Sequence, residues 1–111
     1  CIQKSTGSHH AFEESGVFVV NLLAEDQQQL SNHFASRSDD KFAGVDYEEG
    51  IESVPVLKNC LASLECRLKN TFDGGDHSIF VGEVEKSTVA ESLPLTYYRG
   101  KYRRISDFTE N

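Results

Sequence analysis

Alternation of apolar and polar residues is the clearest signal in this chain. After Pro55 comes "VLKNCLASLECRLKN", where Ala62, Leu64, Cys66 and Leu68 take every second place and Ser63, Glu65, Arg67 and Lys69 fill the places between. A period of two predicts a strand with one apolar and one wet face. "TFDGGD" turns the chain around, and "HSIFVGEVEKSTV" is the returning strand of a long hairpin. Upstream, "VFVVNLLA" (17–24) is β-branched and apolar on both faces, which predicts a central strand. "CIQ" reads as a strand end, and "LTYYRGKYRRI", after Pro94, as a last strand.

Helical patterns are fewer. Ser8 as N-cap and Gly16 as the left-handed stop predict a short helix over 8–15. "EDQQQLSNHFAS" (25–36) opens on two acids, where the helix dipole favours them, and Leu30 and Phe34 give it a narrow apolar stripe. From 37 to 55 a polar stretch with Gly44 and Gly50 predicts an irregular excursion with short extended pieces. Strands dominate, so the expected architecture is mainly β, a small antiparallel barrel carrying two or so helices.

Composition narrows the function classes. A chain of 111 residues with 38% hydrophobic and 26% charged content is one globular domain. No apolar stretch approaches a membrane span, and the first residues do not read as a signal peptide. The net charge of −7 argues against nucleic-acid binding over the whole surface, although "YYRGKYRR" (97–104) holds four of the eleven Lys and Arg residues. Cys60 and Cys66, if they share one continuous strand, stand roughly 20 Å apart, beyond the ~7 Å reach of a disulfide. Reduced, cytoplasmic thiols follow, with Cys66 a small core residue. The sequence has no methionine and opens on Cys-Ile-Gln, which suggests residues upstream of Cys1.

Four segments could carry chemistry. "KSTGSHH" sets Lys4, Ser5, Thr6 and Ser8 before a helix, where a cation, hydroxyls and exposed amides suit a phosphate; a solvated loop with an ordinary cap explains the same letters. "FASRSDDKF" (34–42) puts Arg37 and Lys41 beside Phe34 and Phe42, as a phosphate or ribityl chain would need, and as surface charges around core aromatics would also look. In "GGDH" the glycines allow close backbone approach, and alternation groups His77 with Ile79 and Val81 at the end of a sheet face; a plain loop histidine is the rival reading. "YYRGKYRR", if extended, shows Tyr98 and Tyr102 on one face and Arg99, Lys101 and Arg103 on the other, which fits a nucleotide or a charge-protected edge strand. No metal-ligand spacing, GxSxG elbow, Walker loop or GxGxxG is present.

Taken in order, "SGVFVVNLLAEDQQQLSNHFAS", "DKFAGV", "VPVLKNCLASLECRL", "GGDHSIFVGEV" and "PLTYYRGKY" closely resemble the flavin reductase-like family, over about residues 2 to 102. The resemblance implies an FMN-binding split β-barrel at 1–104, lacking its N-terminal strands, with a tail at 105–111. It implies NAD(P)H-dependent reduction of FMN or FAD by a homodimer, with reduced flavin passed to a partner monooxygenase. Lys4, Ser5, Ser8 and His9 would then hold the flavin's phosphate and ribityl chain, together with Arg37, Lys41 and Phe42 on a second loop. His77 and Arg99 would meet the nicotinamide nucleotide. No residue is singled out as catalytic and no metal is expected. The alternatives are a flavin- or haem-binding split barrel without reductase activity and a nucleic-acid-binding barrel, which the acidic balance disfavours.

Overall fold

A computed structural model describes residues 1–37 and 39–105. The elements follow in the order β1 (Ile2–Gln3), α1 (Gly7–Ser15), β2 (Val17–Leu22), α2 (Gln28–Ala35), β3 (Tyr47–Glu49), a 3₁₀ turn (Ile51–Ser53) and β4 (Pro55–Leu57). The long strands β5 (Ala62–Gly74) and β6 (His77–Val89) come next, then the short pair β7 (Thr96–Tyr98) and β8 (Lys101–Arg103). All pairings are antiparallel, and the main sheet has the order β1-β6-β5-β2. The β3-β4 and β7-β8 pairs form two further sheets, so the described strands make open sheets.

The β5-β6 hairpin is closed by Gly75 and Asp76, with Gly75 at a φ of 76°, as a tight turn with glycine first requires. Register shifts at Glu65/Cys66 and Leu68/Asn70 twist this ribbon. On one face Phe18, Val20 and Leu22 of β2 stand opposite Cys66, Leu64 and Ala62. Helix α1 covers part of that face: the Phe12 ring lies 5.5 Å from Phe18 and 5.6 Å from Phe80. The rest of it stays open, with Val20 42%, Leu22 44% and Val84 50% exposed.

Several expectations need correction. The 17–24 segment forms the edge strand β2, not a central one, because its only sheet partner is β5 among the described residues. The run after Pro55 is broken: β4 ends at Leu57, Asn59 takes a positive φ of 64°, and Cys60 lies in the connection rather than on β5. Cys60 and Cys66 are both buried, Cys1 is exposed, and all three are free. The expected wet face of β5 is also covered. Ser63 and Glu65 are each 4% exposed, because the segment 50–57, from the 3₁₀ turn through β4, folds back over them. There Asn21 Oδ1 accepts from Ser63 Oγ at 3.0 Å and from the Leu57 amide at 3.3 Å. Arg67 keeps to the surface with Glu85 at 2.6 Å.

The helices begin at other residues than the caps suggested. α1 starts at Gly7 with Thr6 before it, and its C-cap is Gly16 at a φ of 70°. α2 starts at Gln28, so Glu25 and Asp26 precede it; Gln27 folds back to accept the Ala24 amide at 2.8 Å. "LTYYRGKYRRI" is not one strand but a hairpin. Arg99 and Gly100 form its turn with φ of 52° and 76°, the paired positive values of a type I′ turn. Tyr97 and Tyr102 therefore share a face, and Tyr98 sits opposite Lys101 on the other. Of the expected 105–111 tail, residues 106–111 lie outside the described residues. No helix among the described residues is long and apolar enough to cross a membrane.

Candidate functional site

The β1 strand is only two residues long, yet it decides where the polar loop after it lies. Ile2 pairs with Ser78 and Gln3 with His77, and the Lys4 amide donates to the Asp76 carbonyl at 2.8 Å. The loop carrying Lys4, Ser5 and Ser8 is thereby fixed at the same end of the sheet as the β5-β6 turn. Lys4 Nζ donates to Asp73 near the end of β5, and this bond together with the lysine charge holds the Asp73 carboxyl below the usual carboxylate range. His77 Nδ1 lies 2.7 Å from Asp76 Oδ1, and this contact lowers the Asp76 carboxyl in the same way. Two acids and two basic groups thus alternate around one turn, with the His77 ring half-exposed beside it.

Helix α1 begins directly after the loop. Thr6 Oγ1 donates to the Gln3 carbonyl at 2.7 Å and accepts from Ser8 Oγ at 3.4 Å, which curls the loop into the first turn. The amides of Gly7 and Ser8 belong to that turn and have no carbonyl partners within the helix. Ser5 is exposed on the turn itself. His9, one residue further, points inward: its Nε2 is 2.8 Å from Ser78 Oγ, its Nδ1 is 3.1 Å from Glu13 Oε1, and its ring is 5.4 Å from Phe80.

The other expected site residues lie elsewhere. Lys41 Nζ donates to the Phe34 carbonyl at 2.8 Å, and the Lys41 carbonyl meets His33 Nε2 at 2.7 Å, so this loop closes the end of α2. Phe42 packs 5.3 Å from Phe34 and 5.4 Å from Tyr47. It lines an apolar cleft of about 530 Å³ with Phe12, Phe18, Phe34, Val54 and Leu57. Arg37 is exposed just past α2. Arg99 stands in the β7-β8 turn with its guanidinium 5.5 Å from the Tyr98 ring centre. That hairpin is anchored by Tyr102, whose hydroxyl is 2.7 Å from Ser31 Oγ and 3.2 Å from Asn32 Oδ1 on α2. The structure therefore gathers Lys4, Ser5, Ser8, His9 and His77 at one end of the sheet, groups Arg37, Lys41 and Phe42 after α2, and sets Arg99 apart.

Asp73, Ser78 and Glu13 were not singled out from the sequence. The Glu13–His9 spacing of four on a helix was readable; the approach of Ser78 was not, because it depends on the pairing of β1 with β6.

The family model described as "Flavin reductase like domain" matches residues 1–106. The chain belongs to the flavin reductase-like family. The HsaB reductase subunit of a flavin-dependent monooxygenase from Rhodococcus jostii is 44% identical over 106 residues, which cover 95% of this chain and 54% of that protein. "FMN reductase (NADH) SmoA" of Agrobacterium fabrum is 39% identical over 103 residues, covering 93% and 59%. Among solved structures, the NADH:FAD oxidoreductase SgcE6 of Streptomyces globisporus, in complex with NAD and FAD fragments, superposes with a TM-score of 0.92 at 32% identity, covering 99% of this chain and 68% of that one. The chain thus spans little more than half the length of these curated relatives. Its fold is the family's split barrel, mainly β with two helices and with the described sheets left open.

Proposed function

We propose that this flavin reductase-like chain uses NADH or NADPH to reduce FMN or FAD and supplies the reduced flavin to a partner monooxygenase. The observation that carries the reading is the β1–β6 pairing, which brings the Lys4–Ser8 loop and His77 to one end of the sheet. A flavin phosphate fits the loop chemically: the unpaired first-turn amides of α1, the Ser5 and Ser8 hydroxyls and the Lys4 ammonium all donate hydrogen bonds. Lys4 is shared with Asp73, so an incoming phosphate competes with that carboxylate. Arg37 and Phe42 would serve the rest of the cofactor.

The bound cofactors supply the redox chemistry, a hydride passing from the nicotinamide ring to the flavin. The protein's part is to align the two and to keep water out. His77, oriented by Asp76, is the group proposed to hold the pyridine nucleotide, with Arg99 of the β7-β8 turn proposed to meet the same ligand. Neither is asked to move a proton. The relatives' names support the reading, since they include an NADH-dependent FMN reductase and reductase subunits of monooxygenases. A homodimer in the cytoplasm is part of the proposal.

The test is oxidation of NADH and NADPH by the intact protein, with and without added FMN or FAD. Flavin-dependent turnover is expected. In the His77→Ala variant the KM for the pyridine nucleotide should rise about tenfold with kcat little changed. Absence of turnover with every pairing would leave a flavin- or haem-binding barrel without reductase activity. A fall in kcat at unchanged KM would give His77 a part in the chemical step instead.

A further inference from the structure

The Glu13–His9–Ser78 chain, which runs from the surface of α1 inward to β6, is left unused by the proposed function. In the tautomer that turns Nδ1–H to Glu13 Oε1, 3.1 Å away, Nε2 is the acceptor for the Ser78 hydroxyl at 2.8 Å. An acid, an imidazole and a serine in that order have the connectivity of a nucleophilic relay. The surroundings speak against that use. Ser78 is 6% exposed, and the His9 side chain, 14% exposed, packs against Phe80. An acyl group could not reach Ser78 Oγ without moving both.

What the chain does is mechanical. The Lys4–Ser8 loop is tied to the β5-β6 hairpin by two residue pairs from β1 to β6, one backbone bond from Lys4 to Asp76 in the turn, and the Lys4–Asp73 ion pair between exposed side chains. Exposed ion pairs hold geometry weakly. The sheltered His9–Ser78 bond is less open to water and salt than that ion pair. It grips β6 at the residue next to His77, on the opposite face of the strand, while Glu13 fixes the ring from within α1.

We propose that His9 is a positioning residue rather than a flavin ligand, and that through Ser78 it sets the place of His77 relative to the loop at the start of α1. This rests on the proposed reductase reading only for its kinetic arm. His9→Phe keeps a ring against Phe80 and loses the acceptor for Ser78; His9→Gln restores an acceptor close to Nε2; Ser78→Ala removes the donor from the other side. In the intact, ligand-free protein, the His77 ring signals in nitrogen-15 NMR should shift in His9→Phe and in Ser78→Ala, and return in His9→Gln. With NADH and free flavin, His9→Phe should raise the KM for NADH about tenfold with kcat within about twofold. His9→Gln should recover most of that loss, and the His9→Phe effect should vanish in a His77→Ala background, as residues acting in series require.

His77 signals unmoved in both folded variants would overturn the proposal. So would weaker flavin binding in His9→Phe with the KM for NADH unchanged, which would make His9 a direct ligand. If no form of the protein oxidises NADH, the reductase reading fails, yet the ring signals still decide whether His9 positions His77. Should His9→Phe not fold, Ser78→Ala carries the same comparison.

Discussion

Glu65 sits on β5 between apolar residues, is 4% exposed, and accepts the Ile51 amide at 2.9 Å through Oε1. Its other oxygen is 4.0 Å from Lys86 Nζ. The carboxylate substitutes for a missing backbone partner where the 3₁₀ turn crosses the sheet. Gly50 makes this approach possible, because a β-carbon there would fall on the Glu65 carboxylate and lie 2.8 Å from Val56 Cγ2. Glu65→Leu fills similar space but orphans the Ile51 amide, so chemical denaturation should show a loss of about 1–3 kcal/mol. Glu65→Gln keeps an acceptor and should lose clearly less; equal losses would mean the amide bond contributes little. From the sequence Glu65 was one polar letter in an alternating strand. Its burial became visible only once the segment 50–57 was seen to lie over it.

At the scale of elements, the β5-β6 turn gathers charge, and its stability should follow pH. Asp73 is lowered by Lys4 and Asp76 by His77, while along β6 Glu85 is lowered by Arg67. A carboxyl whose folded pKa is depressed stabilises the fold above its unfolded value, near about 4, and loses that contribution as pH falls through the lower folded value. The Tm should therefore drop from pH 5 toward 3. Asp73→Asn should flatten that slope, and about 1 M salt should erase most of the difference because the partners are exposed. A slope identical in Asp73→Asn and wild type would remove Asp73 from the account. The long hairpin and its glycine turn could be read directly from the sequence, since alternation and turn chemistry are local. The β7-β8 hairpin was misread as one strand because Arg99 holds a positive φ that its letter does not announce.

At the scale of the whole molecule, the sheet keeps Val20, Leu22 and Val84 exposed on one face beyond the cover of α1. An apolar face of this kind is what a second subunit covers, and it supports the proposed homodimer. Sedimentation equilibrium at micromolar concentration should give twice the chain mass for the intact protein and a monomer for Val84→Glu. A wild-type monomer would count against the dimer, and a dimeric Val84→Glu would place the contact elsewhere.

The sequence by itself determined the strand-rich class, the long hairpin, the helix stop at Gly16 and the family, because those depend on periodicity, turn residues and the order of short motifs. It also marked His77 and the Lys4–Ser8 loop as polar groups in apolar company. Only the tertiary structure decided that the two meet, since β1 pairs with β6 across more than seventy residues of chain. It likewise put β2 at the sheet edge and drew Ser63, Glu65 and Ser78 inside. Local pattern records which face of a strand a side chain takes; what covers that face is set by segments far away in sequence.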